Sequence, residues 1–470
     1  MITPMSESAN RSSVSVFFLR KRFHFYLTLA VIATTLFSWF NVNSWCILLL
    51  LLCRLMDGSP IVSVKKAFSN KYFLAFFVLF LLELLGLTYT HDMYNAWKHM
   101  ESKATLAAVP FILCAGPFTD RAGRRRLMSL ICLLLMAICI YCLCMAVWLY
   151  NRDNDPSVFF YHSLSESIGV NAVFFSGYIM AAILYLLSYP LDLRLPLHRF
   201  GTVTAPVSAT VEAPPIPLSD ALLRLLRISL ITFFAIMTIL LSSKLLLVLL
   251  VVVVITFLAG RRRLRIRENL APVIGLCLLL AVGTIMFVST DNPVMHRYRE
   301  IGKGDIGLYK RDSLPPWTVY NGLSLRLLIW KYGVDILSEQ RAWVFGVTGG
   351  DSQNLLNEKY IQADIYGYIG YNFQNQYMEE LVRSGLIGLL IFLASCWALI
   401  DLAARTGTRE AWFTVAMVLI LYATESMLEM QHSCFFSCFF PLLLLPELYA
   451  RTRPVPQPVA DPASRRAFVL

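Results

Sequence analysis

ISLITFFAIMTILLSSKLLLVLLVVVVITFLAG, residues Ile228–Gly260, decides the architecture of this 470-residue chain. The run is far longer than the roughly 20 apolar residues that carry one helix across a bilayer. Ser242-Ser243-Lys244 in its middle marks a tight hairpin between two membrane helices. Lipid satisfies no backbone polar group, so only helices or closed barrels cross it, and unalternating Leu, Ile and Val runs exclude a barrel.

Working outward, comparable stretches place helices at 25–41, 44–56, 72–89, 104–117, 127–149, 171–189, 227–241, 244–259, 271–289, 385–403, 411–427 and 433–449. The expected fold is all-α, a polytopic membrane protein of about 12 transmembrane helices with one long outside loop that contains short helices. Composition agrees, with 57% hydrophobic residues, 15% charged and a mean hydropathy of +0.62; a soluble surface of this size needs far more charge. If the Ser242 hairpin were one bent helix, the parity of everything downstream would change.

The net charge of +11 invites a nucleic-acid reading, which position argues against. The basic residues gather at Arg20-Lys21-Arg22, Lys65-Lys66, Arg124-Arg125-Arg126, Arg261-Arg262-Arg263, Arg405/Arg409 and Arg465-Arg466. With the spans above, all fall on one side, the positive-inside pattern that puts both termini in the cytoplasm and the long loop outside. No nucleic-acid partner is expected. The eleven cysteines all lie in apolar spans, where thiols act as small hydrophobes. The basic, then apolar, N-terminus lacks a small-x-small cleavage site and reads as an uncleaved first span.

The chain divides into an N-terminal membrane half (1–189), a cytoplasmic Pro/Ala/Thr-rich linker (190–223), further spans (224–289), the outside loop (290–384), C-terminal spans (385–449) and a solvated tail (450–470). Within the loop, Tyr320–Ser338 reads as an amphipathic helix with Leu323, Leu327, Trp330, Val334 and Leu337 on its apolar face and Asn321 or Ser324 as caps. FGVTGGD (345–351) is a glycine-rich turn into a second helix from Ser352; a last helix starts near Phe373 and enters the membrane through Gly385 and Gly388.

Chemistry concentrates in this loop. Arg326 and Trp330 lie four apart, on one helix face, while Arg297 and Arg299 follow the span ending near Ser289. Guanidinium groups bind phosphate oxygens bidentately and keep their charge, so such residues at a membrane surface suit a diphosphate headgroup; snorkelling to ordinary phospholipids is the bland alternative. Gly349 and Asp351 belong to a turn whose N–H groups suit an anion, though it is no Walker A because no Lys-Ser/Thr follows. Gly385 and Gly388 permit close helix packing. Glu425 and Glu429 lie about one turn apart near the outer end of a span, a costly depth for carboxylates. No HxxxH or HExxH pair points to a metal site.

SLRLLIWKYGVDIL, FGVTGGDSQNLLNEKY and NFQNQYMEELVRSGLIGLL together resemble the O-antigen ligase and polymerase family of bacterial envelope glycosyltransferases, as does the ending TESMLEMQHSCFFSCFF. The likeness covers about Asn292 to Glu447. It implies a bacterial inner-membrane enzyme with a periplasmic loop, transferring a glycan from undecaprenyl pyrophosphate to an acceptor hydroxyl without metal or nucleotide sugar. The acceptor is a lipid A core sugar in a ligase and another repeat unit in a polymerase. Carried onto this chain, the resemblance makes Arg297 and Arg326 the diphosphate-binding catalytic residues, with Gln374 and Asn375. Arg299, Trp330, Gly349, Asp351, Tyr377, Gly385, Gly388 and Glu429 complete the expected substrate-binding set. One departure stands out: Gln374 occupies the place of the family histidine, proposed to deprotonate the acceptor, and an amide cannot accept that proton. Glu379, Glu380, Asp351, His296 and His162 are candidate substitutes. A flippase of lipid-linked glycans and an assembly scaffold are the rival readings, although no internal repeat of the transporter kind is visible.

Overall fold

A computed structural model describes residues 23–56, 59–116, 119–193, 219–241, 243–259 and 322–452. The described residues are helical, without strands. A helix lies at each expected span except 271–289, which falls outside the described residues, as do Arg297, Arg299, His296 and Asn321, nearly all of the linker, and the tail beyond 452. The helices are α1 (Phe23–Leu36), α2 (Phe40–Leu55), α3 (Pro60–Phe68), α4 (Lys71–Gly86), α5 (Met93–Lys103), α6 (Thr105–Cys114), α7 (Arg121–Asp153), α8 (Tyr161–Ser165), α9 (Ala172–Ser188), α10 (Asp220–Leu240) and α11 (Lys244–Ala259). After the undescribed stretch come α12 (Gly322–Glu339), α13 (Ser352–Gln362), α14 (Gln376–Thr406), α15 (Arg409–Thr424), α16 (Gln431–Leu442) and α17 (Leu445–Thr452).

Length and composition alone qualify 4 of these helices to cross a membrane, lying in α7, α10, α14 and the α16–α17 region, or up to 6 if two bent pairs are each one span. The expected spans therefore differ from the observed helices in length. The helix at 104–117 has only 10 residues with Pro110 inside, a rise of about 15 Å, half the hydrocarbon thickness. Conversely α7 has 33 residues, well beyond 127–149. The linker is shorter than its composition suggests, because Ser219 accepts a hydrogen bond from the Leu222 N–H (3.2 Å) and starts α10 at Asp220.

α14 shows why these helices suit lipid. Phe392, Cys396 and Leu399 are buried against neighbours, while Leu390, Leu393 and Trp397 on the other face are exposed and equally apolar. Apolar residues on both faces fit a helix with protein on one side and hydrocarbon on the other. α14 packs chiefly on α4 and α15, α16 on α6, and α9 on α10. The described cysteines are all free.

The segment between α11 and the kink of α14 carries a small core of its own. Leu328, Ile329 and Tyr332 of α12 pack with Leu356 and Tyr360 of α13 and Val382 of α14. The amphipathic helix is therefore present with a partly rotated face: Leu337 is buried as expected, Leu323 and Val334 are exposed, and Leu325, Leu328, Ile329, Tyr332 and Ile336 are buried. Two apolar stripes coexist on α12, and periodicity does not say which one meets protein. Ser324 lies buried inside the helix rather than capping it.

Candidate functional site at one end of the bundle

α14 begins where Asn375 caps it, the side-chain oxygen accepting from the Met378 N–H (3.1 Å). The same side chain donates from Nδ2 to the Ala423 carbonyl (3.0 Å) in the last turn of α15. Arg326 reaches that turn from α12: its Nη2 donates to the Thr424 carbonyl (3.1 Å) and lies 3.5 Å from Glu425 Oε1. The carbonyls that end a helix are unpaired and carry partial negative charge, so a guanidinium there is doubly favoured. Trp330, one turn on, donates from Nε1 to the Phe373 carbonyl (3.0 Å). Arg326 and Asn375, drawn from separate stretches of sequence, thus meet at the end of α15, while Trp330 bonds the residue before Gln374.

Two details of this corner bear on chemistry. Arg326 is partly exposed, and its Nε–H has no hydrogen-bond partner among the described residues. Gln374 has φ 48°, left-handed backbone that non-glycine residues rarely adopt. Its N–H is held by the Asn372 side chain (3.0 Å). Local strain of this kind costs on the order of 1–3 kcal/mol and persists where the surroundings impose it.

The glycine-rich turn serves a different neighbour. Asp351 accepts from the backbone N–H groups of His91 and Asp92 (2.9 Å each), with the Thr348 and Thr90 hydroxyls at 3.2 and 3.4 Å. Its carboxylate clasps the α4–α5 connection. A Cβ on Gly349 would lie 2.7 Å from Glu83 Oε2, so this glycine admits a side chain from α4. Just before the turn, 343–348 runs beside α14: Val347 and Thr348 N–H donate to the Val382 and Arg383 carbonyls, and Leu386 and Ile387 N–H donate to the Trp343 and Val344 carbonyls.

That pairing breaks α14. Gly385 is non-helical (φ 65°, ψ −164°), and a Cβ there would collide with the Val344 carbonyl group. Gly346 (φ 73°) makes the reciprocal approach to the Arg383 carbonyl. Gly388 is needed because the break brings the Ser384 side chain onto its Cβ position. These glycines therefore serve a kink and a backbone-to-backbone contact, in place of the expected packing of a neighbouring membrane helix. Tyr377 packs edge-on against Phe392 (centroids 5.3 Å apart).

Beneath the turn lies a buried ionic layer that spacing along the chain does not reveal. Lys103 pairs with Glu83 and stands 3.7 Å from Glu429 Oε1. Arg383 pairs with Glu429 through Nη2 and with Glu379 through Nε (3.1 Å). His99 Nδ1 is 3.4 Å from Glu429 Oε2. Gln376 donates to Glu380 (2.9 Å) and accepts from the Leu428 N–H (2.7 Å). Burial alone would raise the Glu429 pKa, yet Arg383, then Lys103 and His99, hold it below the ordinary range. Arg383, together with burial, pushes His99 down to about 4, so it is neutral at pH 7. Glu429, expected to bind substrate, is instead enclosed by cations; only 6% of its side chain is exposed. Glu425 and Glu429 also share no helix, since α15 ends at Thr424.

The architecture defines a class first: a multi-helix membrane protein whose loop folds onto the ends of its spans. Residues 228–393 match the family model described as O-antigen ligase, which supports assigning the chain to that family. The match takes in the α10–α11 hairpin and stops within α14, so it lies earlier than the resemblance seen in the motifs. No curated protein compared with the chain matches it. The family points to a glycosyltransferase of the ligase or polymerase type, working on lipid-linked glycan and an acceptor. Among the described residues, no group of three or more His, Cys, Asp or Glu side chains is arranged to hold a metal ion.

Proposed function

We propose that this protein is an inner-membrane glycosyltransferase that moves a glycan from undecaprenyl pyrophosphate to an acceptor sugar hydroxyl on the periplasmic face, with a lipid A core acceptor as in O-antigen ligases. The supporting observation is Arg326: Nη2 is fixed on the Thr424 carbonyl at the end of α15, and the side chain stays 28% exposed. A guanidinium held this way presents donors to a diphosphate and stabilises the charge that develops as it departs. Arg297 and Arg299, outside the described residues, are proposed to complete the grip. Trp330, fixed beside Arg326, offers a flat face to sugar. A polymerase would share this donor site and differ in acceptor. A deletion strain separates the two, since loss of a ligase leaves polymer on the carrier lipid and loss of a polymerase leaves single repeats on the acceptor.

The test is reconstitution in proteoliposomes with undecaprenyl-pyrophosphate glycan and a lipid A core acceptor, with EDTA present. Wild type is expected to form the glycosidic product, and R326A to lose it while inserting and eluting like wild type. Full activity in R326A removes the proposed mechanism. Movement of the lipid-linked glycan across the bilayer without a new glycosidic bond would assign the flippase reading instead.

A further inference from the structure

The transfer reading leaves a chemical gap, because Gln374 stands where the family histidine would take the acceptor proton. Among the described residues, the structure sorts the groups able to fill it. Asp351 is consumed by two backbone N–H groups. Glu379 is bound to Arg383 and to the Phe373 N–H (3.2 Å), and Glu380 is buried with Gln376. Glu429 is enclosed by Arg383, Lys103 and His99. His162 accepts at Nδ1 from the Ala172 N–H (3.3 Å), in a different part of the fold. None of these presents a free basic atom beside Arg326.

Glu425 does. It follows α15 directly in extended backbone (φ −146°, ψ 150°), so its side chain leaves the helix at the corner where Arg326 and Asn375 converge. Oε1 lies 3.5 Å from Arg326 Nη2, and Oε2 takes no hydrogen bond among the described residues. The side chain is 14% exposed, sheltered yet reachable. Asn375, which bonds the carbonyl two residues before Glu425, adjoins Gln374 in sequence. The residue that follows the position of the missing histidine is thus bonded to the same helix end that Glu425 leaves.

We infer that Glu425 is the general base of this enzyme, an inference that rests on the glycosyltransferase reading above. The acceptor hydroxyl oxygen attacks the anomeric carbon of the lipid-linked glycan, forming the new C–O bond. The bond between that carbon and the phosphate oxygen breaks, and its electron pair leaves on undecaprenyl diphosphate, held by Arg326. The acceptor proton passes to the Glu425 carboxylate, and from there to solvent. Gln374 is left to orient the hydroxyl by hydrogen bonding. Arg326 stands between carboxylate and diphosphate, so the two anions meet a shared cation instead of each other.

The experiment uses the full-length reconstituted protein with undecaprenyl-pyrophosphate glycan and a lipid A core acceptor. General bases contribute about 10²–10⁴-fold, so E425Q should lose about that factor in kcat, with donor KM little changed and wild-type elution. E425D, one methylene shorter, should keep part of the rate. Formate added to E425A should restore product, an effect that a purely structural carboxylate would not show. If wild type transfers glycan and E425Q works within about threefold of it, or if formate leaves E425A inactive, the assignment of Glu425 is overturned and the enzyme class stands. If wild type makes no glycosidic bond with this pair or with a repeat-unit acceptor, the reading beneath it falls as well.

Discussion

At the scale of the residue, Arg326 matters because its geometry is fixed before any ligand arrives. Nη2 is spent on the Thr424 carbonyl and Glu425, which orients the remaining N–H donors. A lysine keeps the charge and loses the planar fork. R326K is therefore expected to fold normally and to transfer glycan about 10²–10³-fold more slowly, the cost of removing one preorganised donor; rates in proteoliposomes check this. The arginine and tryptophan four apart were legible in the sequence, since helical spacing alone puts them on one face. Their partners were not. Thr424 and Ala423 contribute backbone carbonyls, which carry no sequence signature, and Glu425 reads from sequence as one more carboxylate in a span.

At the scale of the element, the kink in α14 organises the segment packed on it. The GxxG spacing was visible, but spacing cannot tell a helix that packs closely from one that stops, turns and restarts. The distinguishing fact is the 343–348 segment pairing with both sides of Gly385, a contact between stretches about 40 residues apart. G385A imposes both a left-handed conformation and a collision with the Val344 carbonyl. Strained backbone alone costs about 1–3 kcal/mol. G385A should lower the Tm and expose the 343–351 segment to protease; an unchanged Tm and cleavage pattern would contradict the kink's role. Asp351 supports the same segment from the other side. D351A removes acceptors from two backbone N–H groups, each an exchange of a hydrogen bond worth about 0.5–1.5 kcal/mol, because both lie where water can replace the carboxylate. It should weaken stability while leaving the donor KM of the surviving folded protein near wild type. The rotated face of α12 has a related cause: a helix with two apolar stripes reveals its buried side only once α13 and α14 are in place.

At the scale of the whole molecule, buried ion pairs mark both ends of the bundle. At one end Arg124 bonds Glu410 (2.5 Å) with Glu447 at 3.5 Å. At the other, the layer of Glu83, Lys103, Glu379, Arg383 and Glu429 sits under the candidate site. Removing one partner of a buried pair costs about 3–5 kcal/mol because the other charge is stranded. R383A should accordingly denature well below wild type by thermal melting in detergent. His99 faces Arg383 of α14, Glu83 of α4, Lys103 of its own helix and Glu429 of the loop before α16. With its pKa held near 4 against an ordinary 6.5, the unfolded chain takes up this proton first as pH falls. Its contribution is therefore present above pH 6.5 and lost between there and about pH 4; H99Q should flatten the Tm profile in that window. Hydrophobic runs made the helical class readable in advance. The ionic layer was not, because its members are scattered from residue 83 to residue 429 and only packing assembles them.

The account turns on the Arg326 end of the bundle facing away from the cytoplasm, where a lipid-linked glycan and its acceptor are proposed to meet. The direct measurement is labelling of a single cysteine at exposed Tyr366, in a background without the native cysteines, by a membrane-impermeant maleimide applied to intact spheroplasts. Labelling without permeabilisation is the predicted result. Labelling only after the membrane is opened would place Arg326 on the wrong side of the bilayer and contradict the mechanism.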